Sequence, residues 1–143
     1  MRFELIDGVL EQTATRIVAF KRVSMAEEYL ADHFAGFPVL PGVFMIEAMT
    51  QAARKLVLAG GTWADALPPV LGEVRALRYA HFVKPGWTLV VAVDTDPKAE
   101  FAFRGTAHAV ENDVARWPDA PVAASGRFRL RTVRAANAIA SAS

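Results

Sequence analysis

His33 and Glu47 stand at the two ends of one short window, with Pro41-Gly42 between them. An imidazole titrates near neutral pH, which suits a general base. A carboxyl group suits a general acid when apolar surroundings keep it protonated, and the neighbours of Glu47, from Val43 to Met49, are apolar. Pro41-Gly42 has the form of a helix start. The first backbone N–H groups of a helix lack intrahelical partners, so those of Gly42 and Val43 are candidates to stabilise developing negative charge. Glycine at that place also lets a ligand approach closely. Gln51, one turn after Glu47, shares its side of the helix and can orient the acid or a water.

Several elements must position these groups. Asp7-Gly8 is a turn signal, after which Val9, Glu11 and Thr13 alternate with Leu10 and Gln12 as in a strand. Arg16 to Val23 reads as a second strand, and Ser24 with Glu27 has capping-box spacing for a short helix through Leu30. Gly36, Pro38 and Pro41 make the following segment a loop. From Gly42 to about Ala59 the pattern is a long helix stopped by Gly60-Gly61, apolar apart from a stripe of Glu47, Gln51, Arg54 and Lys55. A helix of that kind is normally buried.

Strands are then expected over Val70–Val83, Trp87–Asp94, Glu100–Val110 and Pro121–Val133, joined by short turns such as Lys84-Pro85-Gly86 and by a polar loop through Asn112 and Asp119. Strands in that sequence imply an antiparallel sheet. The fold class is therefore α+β, a sheet curled around a long central helix, which is the hot-dog arrangement. The expected domain is single, 1–134, with 135–143 a frayed tail.

With 143 residues, 53% hydrophobic and 22% charged, the chain can bury a core without metal or disulfide help. A net charge of +1 argues against a strongly basic nucleic-acid binder. The absence of cysteine removes thiol catalysis and cysteine-ligated zinc. Glu4, Asp7 and Glu11 interrupt the start, and no apolar run approaches the roughly 20 residues needed to cross a bilayer, so a cytoplasmic protein without membrane insertion is expected. A mean hydropathy of +0.23 suggests that a second subunit covers part of the apolar surface. Neither a phosphate-binding glycine loop nor a helical histidine pair is present, so no metal or nucleotide cofactor is indicated.

His33-Phe34, Gly36, Pro38-Val39-Leu40-Pro41-Gly42, Glu47-Ala48 and Gln51 together resemble the signature of the beta-hydroxyacyl-acyl carrier protein dehydratases, hot-dog enzymes of fatty acid synthesis. The likeness extends more weakly to Phe3–Asp7, Arg78–Gly86 and the final strand. Family members usually carry Gly before the histidine and Pro two residues after it, where this chain has Asp32 and Ala35. The resemblance implies dehydration of a 3-hydroxyacyl thioester to a trans-2-enoyl thioester. His33 would take the C2 proton, the Gly42 and Val43 N–H groups would hold the enolate oxygen, and Glu47 would protonate the departing hydroxyl.

It also implies a homodimer in which His33 and Glu47 of one site come from different subunits, extendable to a trimer of dimers. The acyl chain would run between long helices past Phe34, Phe44, Met45, Met49 and Phe82. The substrate would be carried on the phosphopantetheine of an acyl carrier protein or of coenzyme A, with no other cofactor. Arg127, Arg129 and Arg131 project from one face of the last strand. They are either a solvated face or, with Lys84, a basic patch for an acidic carrier protein or coenzyme A phosphates. Two alternatives stay open: a hot-dog acyl thioesterase, in which Glu47 activates water, and a non-catalytic acyl-binding accessory subunit. His81 and His108 receive no role.

Overall fold

The computed structural model describes residues 4–24 and 40–133. Apart from Ser24 itself, the expected helix through Leu30, together with His33, Phe34, Asp32, Ala35 and the tail 135–143, lies outside the described residues.

Strands β1 (Gly8–Gln12) and β2 (Arg16–Arg22) precede the helix α1 (Gly42–Ala59), and β3 (Val70–Tyr79), β4 (Thr88–Thr95), β5 (Ala102–Val110) and β6 (Val122–Arg131) follow it. All pair antiparallel in one six-stranded sheet of order β1-β2-β4-β5-β6-β3. Helix α1 lies against this sheet, so the α+β hot-dog class holds.

The helix has the bounds its sequence predicts. Pro41 precedes it, and Gly61, at φ +73°, supplies the left-handed residue after its end. Its sheet-facing side carries Ala48, Met49, Ala52 and Ala53, all 0% exposed. Small residues bring the helix axis close to the sheet. The sheet reciprocates at Gly105, where a Cβ would sit 2.7 Å from the Met49 Sδ. Ile17 and Ala19 of β2, Leu89, Val91 and Val93 of β4, Phe103 and Ala107 of β5, and Phe128 and Leu130 of β6 complete this core.

Two expectations need correction. The four expected strands are not all sequential neighbours: β4, β5 and β6 follow one another, but β4 lies beside β2 while β3 crosses to the far edge and pairs with β6. Strand β3 also ends at Tyr79 rather than Val83, and bulges at Leu71/Glu73 and Arg75/Arg78, with Ala76 at φ +52°, break its alternation. The polar loop after β5 contains a 3₁₀ segment, Val114–Asp119, begun by the Asp113 carboxylate accepting from the Ala115 N–H. Its Trp117 and Val114 cover a second small core on the outer sheet face, formed by Val18, Val90, Ala92 and Val110. His108 is buried there, its Nδ1 3.3 Å from the Ala120 carbonyl and its ring edge-on to Trp117.

Gly105→Val should lower the melting temperature, because the added branch must displace Met49 from a filled core, at a cost of about 1–3 kcal/mol. Thermal unfolding followed by circular dichroism measures it.

Candidate functional site

Helix α1 begins without a side-chain cap and without an acidic residue in its first turn. Pro41 is the N-cap residue; its carbonyl accepts from the Phe44 N–H at 3.0 Å, and Pro41 itself has no N–H to donate. Among the described residues, no backbone acceptor takes the Gly42 or Val43 N–H. Among the described residues the positive end of the helix dipole is therefore left open.

What it opens on is a cleft of about 670 Å³ whose lining includes Gly42, Val43, Met45, Tyr79, His81 and Phe82. Two contacts bring its walls together. The Leu40 N–H donates to the Val83 carbonyl at 2.9 Å, which ties the entry of α1 to the segment after β3. The Tyr79 ring then packs on Gly42, where a Cβ would meet it at 3.0 Å. The close approach expected at this glycine is present, but the approaching group is a side chain of the same chain, and a Cβ there would have to push the half-exposed ring aside. Desolvation raises the Tyr79 phenol above its ordinary value of 10.0. The His81 ring is oriented by its Nδ1, 3.0 Å from the Phe82 carbonyl, and stacks on Trp87.

Glu47 follows Val43 by one turn on the same side of α1 and is half-buried, less enclosed than its apolar neighbours imply. It is not among the residues lining the cleft. Its Oε1 accepts from the Gln51 Nε2 at 3.1 Å. Gln51 is only 8% exposed, and its Oε1 accepts from the Leu5 N–H at 2.7 Å. The chain leading into β1 thus reaches the middle of the helix and meets the carboxamide beside the carboxylate.

The structure separates the remaining candidates. Met45 and Phe82 line the cleft, Phe82 being half-exposed. Met49 instead lies wholly in the core against Gly105, and Phe44 packs on that core half-buried. Arg127, Arg129 and Arg131 are exposed on the outer face, where Arg127 stands in register between Arg104 and Arg75. A groove of about 320 Å³ runs beside them. There the Lys98 backbone N–H, joined by the charges of Arg104, Lys98 and Arg127, holds the Asp96 carboxyl below the usual carboxylate range. Lys84 is not part of this patch: it lies over the Trp87 ring beside the turn before β4. Among the described residues, no cluster of histidine and carboxylates could hold a metal, and no helix is long and apolar enough to cross a membrane.

The sequence gives His81 no role and does not single out Tyr79 or the Leu5 main chain. The first two carried a signal, an aromatic and a histidine in the short stretch Tyr79-Ala80-His81-Phe82 before a Pro-Gly turn. A backbone donor carries none.

Comparison with known proteins gives the family and the fold. A family model described as ApeI-like, ApeI dehydratase, matches residues 10–115. The 3-hydroxyacyl-[acyl-carrier-protein] dehydratase FabZ of Thermotoga petrophila is 37% identical over 91 residues, 64% of this chain and 64% of that protein. The FabZ of Polaromonas naphthalenivorans is 39% identical over 113 residues, covering 76% of this chain and 78% of that protein. The chain therefore spans somewhat less than two thirds of the length of the Thermotoga relative. In fold, it is similar to a chain of the dehydratase heterocomplex ApeI:P from Xenorhabdus doucetiae, with a TM-score of 0.65 at 16% identity, covering 89% of this chain and 96% of that one.

The packing of Tyr79 on Gly42 has a spectroscopic consequence. A phenol whose folded-state value is raised keeps its proton above pH 10, so it contributes stability below that pH and loses it as the pH rises through the folded value. Ultraviolet difference titration of the native chain against Tyr79→Phe should show the missing transition above pH 10; a transition at the ordinary tyrosine position would contradict the packing.

Proposed function

The chain belongs to the ApeI-like dehydratase family, and from that premise we propose that it removes water from a 3-hydroxyacyl thioester to give a trans-2-enoyl thioester. The observation that carries this reading is a hydrogen-bonded carboxyl group, Glu47, placed one turn below a helix start that has no side-chain cap and opens on an apolar-walled cleft.

In this mechanism His33 takes a proton from C2. The thioester oxygen gains negative charge, which the Gly42 and Val43 N–H groups stabilise together with the helix dipole. Glu47 gives its proton to the 3-hydroxyl as the C3–O bond breaks and water leaves. His33 ends protonated and Glu47 ionised, so one proton passes back between them or through solvent before the next turnover. Elimination is redox-neutral, so the phosphopantetheine of the incoming substrate is the only prosthetic arm required. Met45 and Phe82 would contact the acyl chain, and Tyr79 and His81 would flank the entering thioester.

An acyl carrier protein is the proposed donor, supported by the names of the relatives, and the cytoplasm the proposed compartment. The exposed arginines of β6 offer an acidic carrier a complementary surface. The active unit is proposed to be a homodimer in which His33 of one subunit serves Glu47 of the other. Two features support it: among the described residues β3 is an edge strand with no neighbour on one side, and Val43, Tyr79 and Phe82 beside the cleft are 61%, 50% and 54% exposed.

His33→Ala and Glu47→Gln should each lower enoyl formation roughly 100-fold to 10,000-fold without lowering the melting temperature. Near-native turnover in both variants would sink the assignment. Mixing the two inactive variants and allowing subunits to exchange should restore about a quarter of native activity, since half of the dimers are then mixed and each has one intact site. If both residues of a site came from one subunit, mixing would restore nothing.

A further inference from the structure

Strands β5, β6 and β3 set three arginines side by side on the outer face of the sheet. Arg127 stands directly opposite Arg104 on one side and Arg75 on the other, and all three are exposed. Like charges that face one another across a sheet are destabilising unless an opposite charge answers them. Two of the three have an answer: the Arg75 Nε lies 2.7 Å from the Glu73 Oε1, and the Arg104 Nε lies 3.7 Å from the Asp96 Oδ2. Among the described residues, no carboxylate pairs with Arg127.

The groove of about 320 Å³ beside Arg127 gathers two more cations in the same condition. Arg129, two residues along β6, reaches only the Glu100 carbonyl, at 3.4 Å. Lys98 is brought over by the turn between β4 and β5. There the Asp96 N–H donates to the Ala102 carbonyl at 2.8 Å, and the Asp96 carboxylate accepts from the Lys98 N–H at 3.0 Å. The Asp96 side chain is only 9% exposed, so this carboxylate serves the turn and Arg104. Arg127, Arg129 and Lys98 are left to share one groove without a carboxylate of their own.

We propose that this groove is a binding site for a phosphate monoester, held by the guanidinium forks of Arg127 and Arg129 with the Lys98 ammonium beside them. Such forks match phosphate oxygens two at a time, and charge-assisted contacts of this kind are roughly twice as strong as neutral ones. Alternate residues of a strand stand roughly 6.5 Å apart on one face, so both forks reach a single tetrahedral group. A dianion suits three unmatched cations better than a monoanion such as a phosphodiester. The groove is on the outer face, away from α1 and its cleft, so the site does not depend on the dehydratase reading. It is also narrower than a surface for an acidic carrier, since Arg131, exposed on the same strand, does not line it.

Titration of the native chain with glycerol 3-phosphate at constant ionic strength, followed by amide NMR, tests the site. The signals of Lys98, Arg127 and Arg129 should move saturably while those of Gly42 and Val43 stay in place. Dimethyl phosphate, a monoanion, should bind about tenfold more weakly or worse. Arg127→Gln should weaken glycerol 3-phosphate about tenfold or more without lowering the melting temperature of the ligand-free chain, because it removes the middle of three like charges. Arg131→Gln should leave the affinity within about twofold. Equal losses in the two variants, shifts that chloride reproduces, or shifts at Gly42 and Val43 in place of the groove would each overturn the proposal. So would Arg127-dependent binding of an acyl carrier protein with no response to the phosphate monoester, which would give the groove to a protein.

Discussion

Close packing of α1 on the sheet is the constraint from which the site follows. Ala48, Ala52 and Ala53 present almost no side chain to the strands, and Gly105 removes the one Cβ that would hold Met49 off. Burial of Met45, Met49 and Leu56 in the same interface stabilises it by roughly 1.5–3 kcal/mol per large side chain. Once that interface is set, the helix has no freedom to slide or turn. Gly42 then falls under the Tyr79 ring, and Gln51 falls opposite the Leu5 N–H. The anion-stabilising end and the acid are thus held in one frame by apolar contacts that take no part in the chemistry.

A polar pair in such a helix has an energetic cost unless its hydrogen bonds are made. An unsatisfied buried amide costs about 1–3 kcal/mol, and Gln51 avoids this at both ends of its carboxamide. The segment before β1 is itself held by side-chain contacts: the Asp7 carboxylate accepts from the Arg22 N–H at 2.7 Å and pairs with Lys21. A short stretch of chain that looks like an approach to the first strand is therefore the support of the candidate acid.

The helix, its bounds and its polar stripe were legible because a period of 3.6 residues, a Pro-Gly start and a Gly-Gly stop all agree over a long segment. The strand order was not. Short turns between apolar runs imply neighbours, and nothing local in Val70–Tyr79 announces that it will cross to the far edge. The buried second face was readable in principle: Leu89-Val90-Val91-Ala92-Val93 is an unbroken apolar run, the mark of a strand covered on both sides, and the cover is Trp117. In the site, Gln51 beside Glu47 follows from helical spacing, whereas the Leu5 donor and the Tyr79 lid on Gly42 depend on tertiary contacts between segments remote in sequence. Met49 shows the limit of spacing alone. An apolar residue one turn from a site is as readily core as channel, and here it is core.

Whether the native chain removes water from a 3-hydroxyacyl group carried on an acyl carrier protein is the most direct question about its site. Intact-mass spectrometry of a series of such carriers after incubation measures it directly. The expected product is a carrier lighter by one water with its acyl thioester intact, formed faster for at least one chain length than in the enzyme-free control. Release of free carrier thiol and 3-hydroxy acid, or tight binding with no change of mass at any chain length, would contradict it.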